Sequence, residues 1–214
     1  MRSMSPLRYT LLTDGPSDAC LVHVLNWLLL QFPGAVRRGF IAQYADAKHL
    51  PAVSEGLAVR MRAAANVWPC DVLFVHRDAE RVPLEERFRE IRAAAPPECP
   101  PPLAVVPVRM TEAWLLIDEA AIRKAADNPH GTVDLALPKL NALERIADPK
   151  AVLRDALVLA SEKSGRHRDR FSQRLASRVQ RVAELIGDFS PLRSLRAFRA
   201  VEEQVRHLAA NQNW

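Results

Sequence analysis

The 214-residue sequence predicts an α/β fold: a four-stranded, mainly parallel sheet flanked by helices, continued by an all-helical C-terminal extension. Three observations predict it. Short β-rich runs alternate with helix-length segments as far as about residue 110, the rhythm of β-α-β units with right-handed crossovers. One run, DVLFVH at residues 71–76, is continuously apolar between a proline and a charged cluster, as in a central parallel strand buried on both faces. Beyond Thr111 the strand signal vanishes and helical segments follow one another. The boundary falls between an α/β domain at residues 1–118 and a helical extension, packed on it, at residues 119–214.

Each element has its own signal. Residues 7–13 form a β-rich run that ends in the tight turn Asp14, Gly15, Pro16, Ser17, Asp18. Ser17 then suits the N-cap of a helix over residues 18–32, apolar on most faces and so buried. Residues 40–44 read as a second strand and 53–67 as an amphipathic helix. After the third strand at 71–76, residues 84–95 form a helix with Glu85, Glu86, Arg87, Arg89 and Glu90 on its wet side. The proline-rich stretch 96–102 is a stiff loop, and 103–108 the fourth strand. Helices follow over residues 111–126, 148–163, 169–186 and 192–210; Asp148 caps the second of these, with Pro149 in its first turn.

Composition narrows the function classes. Sixteen prolines against seven glycines favour stiff connections over flexible linkers. The most apolar stretch, residues 20–32, is too short to span a bilayer and contains His23, Asn26 and Gln31. Residues 1–6 lack the apolar core of a signal peptide, so the expected address is cytoplasmic. Cys20, Cys70 and Cys99 are far apart and form no C-x-x-C pair, which argues against a zinc ribbon or a disulfide framework. From Lys163 onward eleven Lys/Arg face five Asp/Glu, an excess of six against +5 for the whole chain. The positive charge is therefore C-terminal and suits a polyanion or an acidic partner.

In an open parallel sheet, ligands bind beyond the carboxyl ends of the strands. Acids cluster at three such ends: Asp14 and Asp18 after the first strand, Asp78 and Glu80 after the third, Glu112 just past the fourth. Hard divalent cations take carboxylate oxygens, and clustered carboxylates without a cation repel one another. The plainer alternative for each acid is an ordinary turn or helix-start residue, and for Asp18 this is the natural reading.

The residues around these acids carry a family resemblance. Thr13, Asp14, Gly15, Pro16, Ser17 and Asp18 resemble the first TOPRIM motif, and Phe74, Val75, His76, Arg77, Asp78, Ala79 and Glu80 the second. Met110, Thr111, Glu112, Ala113, Trp114, Leu115 and Leu116 resemble a further motif of small bacterial TOPRIM-like proteins related to the overcoming-lysogenization-defect nucleases. Asp148, Pro149 and Lys150 also resemble a pattern of these relatives. The resemblance spans about residues 7 to 118.

It implies a magnesium-dependent nuclease cleaving phosphodiesters in nucleic acid, DNA before RNA, with a role in defence against foreign DNA. Asp78 and Glu80 would hold the metal, Asp14 would be a ligand or general base, and Glu112 would complete the catalytic set. Two departures stand out. Asp14 is one methylene shorter than the glutamate usual in the first motif. The second motif also registers in two ways, as Asp78 with Glu80 or as His76 with Asp78, and a histidine ligand would favour Mn2+ over Mg2+.

Phosphate contacts have their own candidates. Arg166, Arg170, Arg174 and Arg178 recur every four residues, a stripe along one face of a single helix that would track a phosphate backbone. Arg109 suits a phosphate clamp or a pair with Glu112, and Lys150 a phosphate contact or an open surface. The competing reading is a TOPRIM-derived module that kept the fold and lost the chemistry, binding nucleic acid or a partner protein. An enzyme acting on a small nucleotide is a third, without a Walker-type glycine loop in its support. A homodimer and a partner encoded by a neighbouring gene both stay open.

Overall fold

A computed structural model describes residues 5–211; most of the segment 1–6, read above for a signal peptide, lies outside them. Four strands form one sheet: β1 (Leu7–Leu12), β2 (Phe40–Tyr44), β3 (Val72–His76) and β4 (Pro102–Val105), in the order β2-β1-β3-β4. All three pairings are parallel, with Leu11 opposite both Tyr44 and Phe74, and Val75 opposite Ala104. β3 is buried at every position, as its uninterrupted apolar run requires. The chain reverses direction across the sheet between β2 and β3, leaving the strand ends of β1 and β3 side by side above a shared crevice.

Helices α1 (Leu21–Leu29), α2 (Pro33–Arg38), α3 (Leu57–Val67) and α4 (Leu84–Ala93) accompany the strands. The helical region adds α5 (Glu119–Ala125), α6 (Pro149–Ala160), α7 (Gly165–Ser172), α8 (Leu175–Leu185) and α9 (Arg196–Asn211). It packs directly on the α/β part. α9 lies along β4, α8 covers the turn after β1, and α6 covers the segment after β4. Trp27, Trp114, Phe189 and Phe198 meet edge-on or tilted, with ring centroids 5.6–6.2 Å apart, and join the two parts into one core. No helix among the described residues is long and apolar enough to cross a membrane.

The structure breaks five of the expected helices. Residues 53–67 divide at Gly56 (φ 94°) into a 3-10 turn and α3, and residues 192–210 divide at Leu195 into a 3-10 turn and α9. Residues 16–20 form a tight 3-10 turn started by Pro16, so α1 begins only at Leu21 and Ser17 makes no side-chain cap. Residues 111–126 divide into a 3-10 turn, Thr111–Leu115, and α5, which Asp118 caps through the amide of Ala121. The arginine-rich segment also divides, because Arg174 (φ −110°, ψ 12°) leaves helical geometry between α7 and α8. Asp148 and Pro149 do start α6, with the Asp148 side chain accepting from the amide of Ala151 at 2.8 Å.

A candidate metal centre at the strand ends

His76 is the last residue of β3, and its place in a fully buried strand carries the imidazole into the interior. Its Nδ1 lies 3.0 Å from the carbonyl oxygen of Val105 on β4. A carbonyl only accepts, so Nδ1 carries the proton and Nε2 of the neutral ring presents a lone pair. Burial lowers the histidine pKa, which keeps the ring neutral despite the acids around it.

That lone pair faces oxygens. Nε2 lies 3.5 Å from Asp78 Oδ1 and 3.7 Å from Asp18 Oδ1, and the ligand atoms of the three residues all lie within 4.8 Å of one another. Thr111 stands between them, its hydroxyl 3.0 Å from Asp18 Oδ1 and 3.3 Å from Nε2. The hydroxyl has one proton and gives it to Asp18 along the shorter contact. Asp78 Oδ1 is left buried without a hydrogen-bond donor. An acceptor in that state costs about 1–3 kcal/mol unless a proton or a cation reaches it.

Asp78 responds as a crowded acid should. Burial, then the charges of Asp18, Glu112, Glu80 and Asp14, push its carboxyl up to about 8. The donor set could hold a divalent ion in place of that proton. Metal–ligand bonds of about 2.1 Å set neighbouring donors roughly 3.0–3.4 Å apart. The contacts at 3.5 and 3.7 Å therefore need only a few tenths of an ångström of contraction. The Nδ1–H bond to Val105 supplies the outer support that orients a metal-binding imidazole. One imidazole with two carboxylates suits Mn2+ and similar ions better than Mg2+.

The expected ligands Asp14 and Glu80 are placed differently. Asp14 accepts from Arg60 Nη1 at 3.2 Å and lies 2.7 Å from Arg77 Nε, an ionic contact off the N–H direction. Arg60 is itself buried on α3 and also donates to the carbonyl of Thr13 at 3.0 Å. Arg77 reaches onward to Glu90, and Glu90 to Arg87. Asp14 is thus the acid of a structural ion network. Glu80 sits in the left-handed region (φ 52°), its amide bonded to the carbonyl of Arg109. Its side chain lines a separate cleft of about 310 Å³ with Arg81 and Arg109. Of the two registers, His76 with Asp78 is the pair the fold brings together, because by Glu80, four residues beyond β3, the chain has turned away.

Glu112 is buried beside the triad, 3.8 Å from Lys150 Nζ, and both line a cleft of about 340 Å³ with Ser17, Arg154 and Gln180. Arg109 adopts φ 69° and makes no ion pair among the described residues, with Glu112 or with any other acid. The arginine stripe does not survive as a continuous row. Arg166 and Arg170 are exposed on α7, and Arg174 occupies the break. Arg178 is spent on Asp127 at 2.6 and 2.5 Å, on the carbonyl of Ala125, and on the ring of Phe171.

Two site residues escaped the sequence reading: Asp18, taken as a helix-start acid, and Thr111, taken only as part of a motif. The available signal for Asp18 was Pro16, which starts a tight turn and rolls the next acid inward. Comparison with protein families, with curated proteins and with solved structures finds no match.

The geometry stands alone.

Proposed function

We propose that this chain is a metal-dependent enzyme cleaving phosphodiesters in nucleic acid, with the ion held by Asp18, His76 and Asp78. One observation carries the reading: the buried, donorless Oδ1 of Asp78 directed at the unprotonated Nε2 of His76. A divalent ion there supplies Lewis acidity toward a phosphoryl oxygen and makes water a stronger acid. Val105 holds the imidazole in the tautomer that can ligate, and Thr111 orients Asp18 through its hydroxyl. Glu112, against the triad, is placed to take a proton from water entering through the adjoining cleft. On the cleft's other wall Lys150 and Arg154 offer positive charge to the flanking phosphates of the substrate. The resemblance to TOPRIM proteins supports the same reaction class, with Asp14 in a structural place.

A second reading rests on Asp14. Its two arginine partners remove the first-motif acid from the reacting centre, which favours a module that binds metal and nucleic acid without turnover. Plasmid nicking with Mn2+ separates the two. The enzyme reading expects nicking that is lost in Asp78→Asn and in Glu112→Gln. Salt-sensitive DNA binding without nicking supports the module instead, and absence of both overturns the nucleic-acid reading altogether.

A further inference from the structure

Two clefts flank the triad, and only the one lined by Lys150 and Arg154 enters the proposed reaction. The other lies between the loop after β3 and the loop after β4. Its two lobes, of about 360 and 310 Å³, share Glu80, Arg81, Val82 and Arg109 and so form one groove. The same two chain segments separate the groove from the first cleft: Met110 and Ala147 line the groove, Glu112 and Lys150 the cleft. Between Met110 and Glu112 stands Thr111, whose hydroxyl touches His76 and Asp18. The triad therefore sits at the ridge between the two. The Asp78 side chain keeps 29% of its surface exposed, which leaves the centre open to a strand crossing that ridge.

Two rarely adopted backbone conformations shape the groove. Glu80 (φ 52°) and Arg109 (φ 69°) are both left-handed, and the amide of Glu80 donates to the carbonyl of Arg109 at 3.3 Å. Strain of this kind persists only where the surroundings over-determine it, and it gathers at functional sites. Among the charges lining the groove, Arg196 is taken by Glu85 at 2.5 Å and Glu144 accepts from the amide of Ala197 at 2.9 Å. Arg81 and Arg109 make no ion pair among the described residues, which sets two guanidiniums against the single carboxylate of Glu80. None of the described residues lining the groove is aromatic, so bases find nothing to stack on.

We infer that this groove is a second phosphate site, in which Arg81 and Arg109 hold the nucleic-acid backbone on the side of the metal centre away from Lys150 and Arg154. Guanidiniums offer the forked N–H donors that phosphodiester oxygens accept. With nucleic acid as the substrate, on which this role rests, the strand runs across the ridge at 110–112. It is then gripped on both sides of the bond presented to the metal.

Salt dependence of DNA binding tests this, read by fluorescence anisotropy in chelator on the full chain. The probe is a labelled duplex or its single strand, whichever the native chain binds. Each phosphate contact adds about 0.9 to the slope of log affinity against log salt on a duplex, and about 0.7 on a single strand. Arg81→Gln combined with Arg109→Gln should flatten the slope by about two contacts, and Arg109→Lys should keep it. Should the double variant not fold, Arg81→Gln alone, at an exposed residue outside the strained positions, should flatten it by about one contact. Arg37→Gln alters an exposed arginine beside the start of β2, at the opposite end of the sheet, and should leave the slope unchanged. Mn2+ affinity of the double variant should stay within a few-fold of native. A slope unaltered by removing Arg81 and Arg109, or flattened as much by Arg37→Gln, overturns this site alone. A native chain without salt-sensitive DNA binding overturns the nucleic-acid reading, and the groove's role with it.

Discussion

Asp14 and Asp78 are the same residue type, each two positions beyond the end of its strand, on neighbouring strands of one sheet. Their surroundings are opposite. Asp14 is met by two guanidiniums, one of them fully interior. Asp78 is met by a neutral imidazole and by other acids, with no cation in contact among the described residues. Position at a strand end therefore does not make an acid a metal ligand; the charge it faces does. Asp14 is already neutralised and serves the fold, whereas Asp78 still lacks its counter-charge and is the acid the proposed ion would meet.

The comparison breaks most easily through stability. Asp14→Ala strips a buried arginine of its partner and should cost about 3 kcal/mol, near the lower end for a broken buried pair, while Mn2+ affinity stays within a few-fold of native. Urea unfolding and calorimetric titration check the two halves of that statement. Loss of Mn2+ binding in Asp14→Ala without loss of stability would reverse the assignment of roles.

The converse variant is Asp78→Asn. It should lower Mn2+ affinity by about two orders of magnitude. In the metal-free chain above pH 8 it should stabilise, because it removes a buried charge that has no partner. A thermal melt in chelator at high pH, beside a Mn2+ titration of the same sample, reads both effects.

A pH series sharpens the contrast. The folded pKa of Asp78 is raised from 3.8 to about 8, so between those values the folded state binds more protons than the unfolded one. Stability contributed by this group is complete below the unfolded value and is lost as pH rises toward 8. With chelator present, the melting temperature should therefore carry a declining component between about pH 4 and pH 8 that Asp78→Asn lacks. Because Mn2+ must displace the proton, its affinity should climb over the same interval and level off above it.

The smallest effect concerns Thr111. Thr111→Val keeps the shape but removes the donor to Asp18, so Mn2+ affinity should fall about tenfold. Stability should change by no more than about 1 kcal/mol, the net worth of one neutral donor. An equal loss in Thr111→Ser, which retains the hydroxyl, would show that packing rather than hydrogen bonding matters there.

Much of this architecture was legible before any coordinates. The uninterrupted apolar run of β3 and the strand–helix alternation suffice for a parallel sheet, because both follow from which faces must be buried. The helical breaks were harder. A four-residue arginine spacing looks the same whether or not the helix stops at Gln173, and the stop depends on where α7 and α8 pack. Around the candidate site, the position of His76 and Asp78 at a strand end could be read from the sequence. The position of Asp18 could not, because it depends on a tight turn docking against α8 and on Thr111 arriving from beyond β4. Nor does a sequence show that Arg60, forty-six residues away, claims Asp14.

The central claim is that His76 Nε2, rather than Glu80, completes the metal centre with Asp18 and Asp78. Electron–nuclear double resonance on the Mn2+-loaded chain addresses it directly, since a directly bound imidazole nitrogen gives a resolved nitrogen hyperfine coupling. The account predicts one such coupling in the native chain, retained in Glu80→Gln and absent in His76→Gln. A spectrum with no nitrogen coupling, or Mn2+ binding lost in Glu80→Gln and kept in His76→Gln, would contradict it.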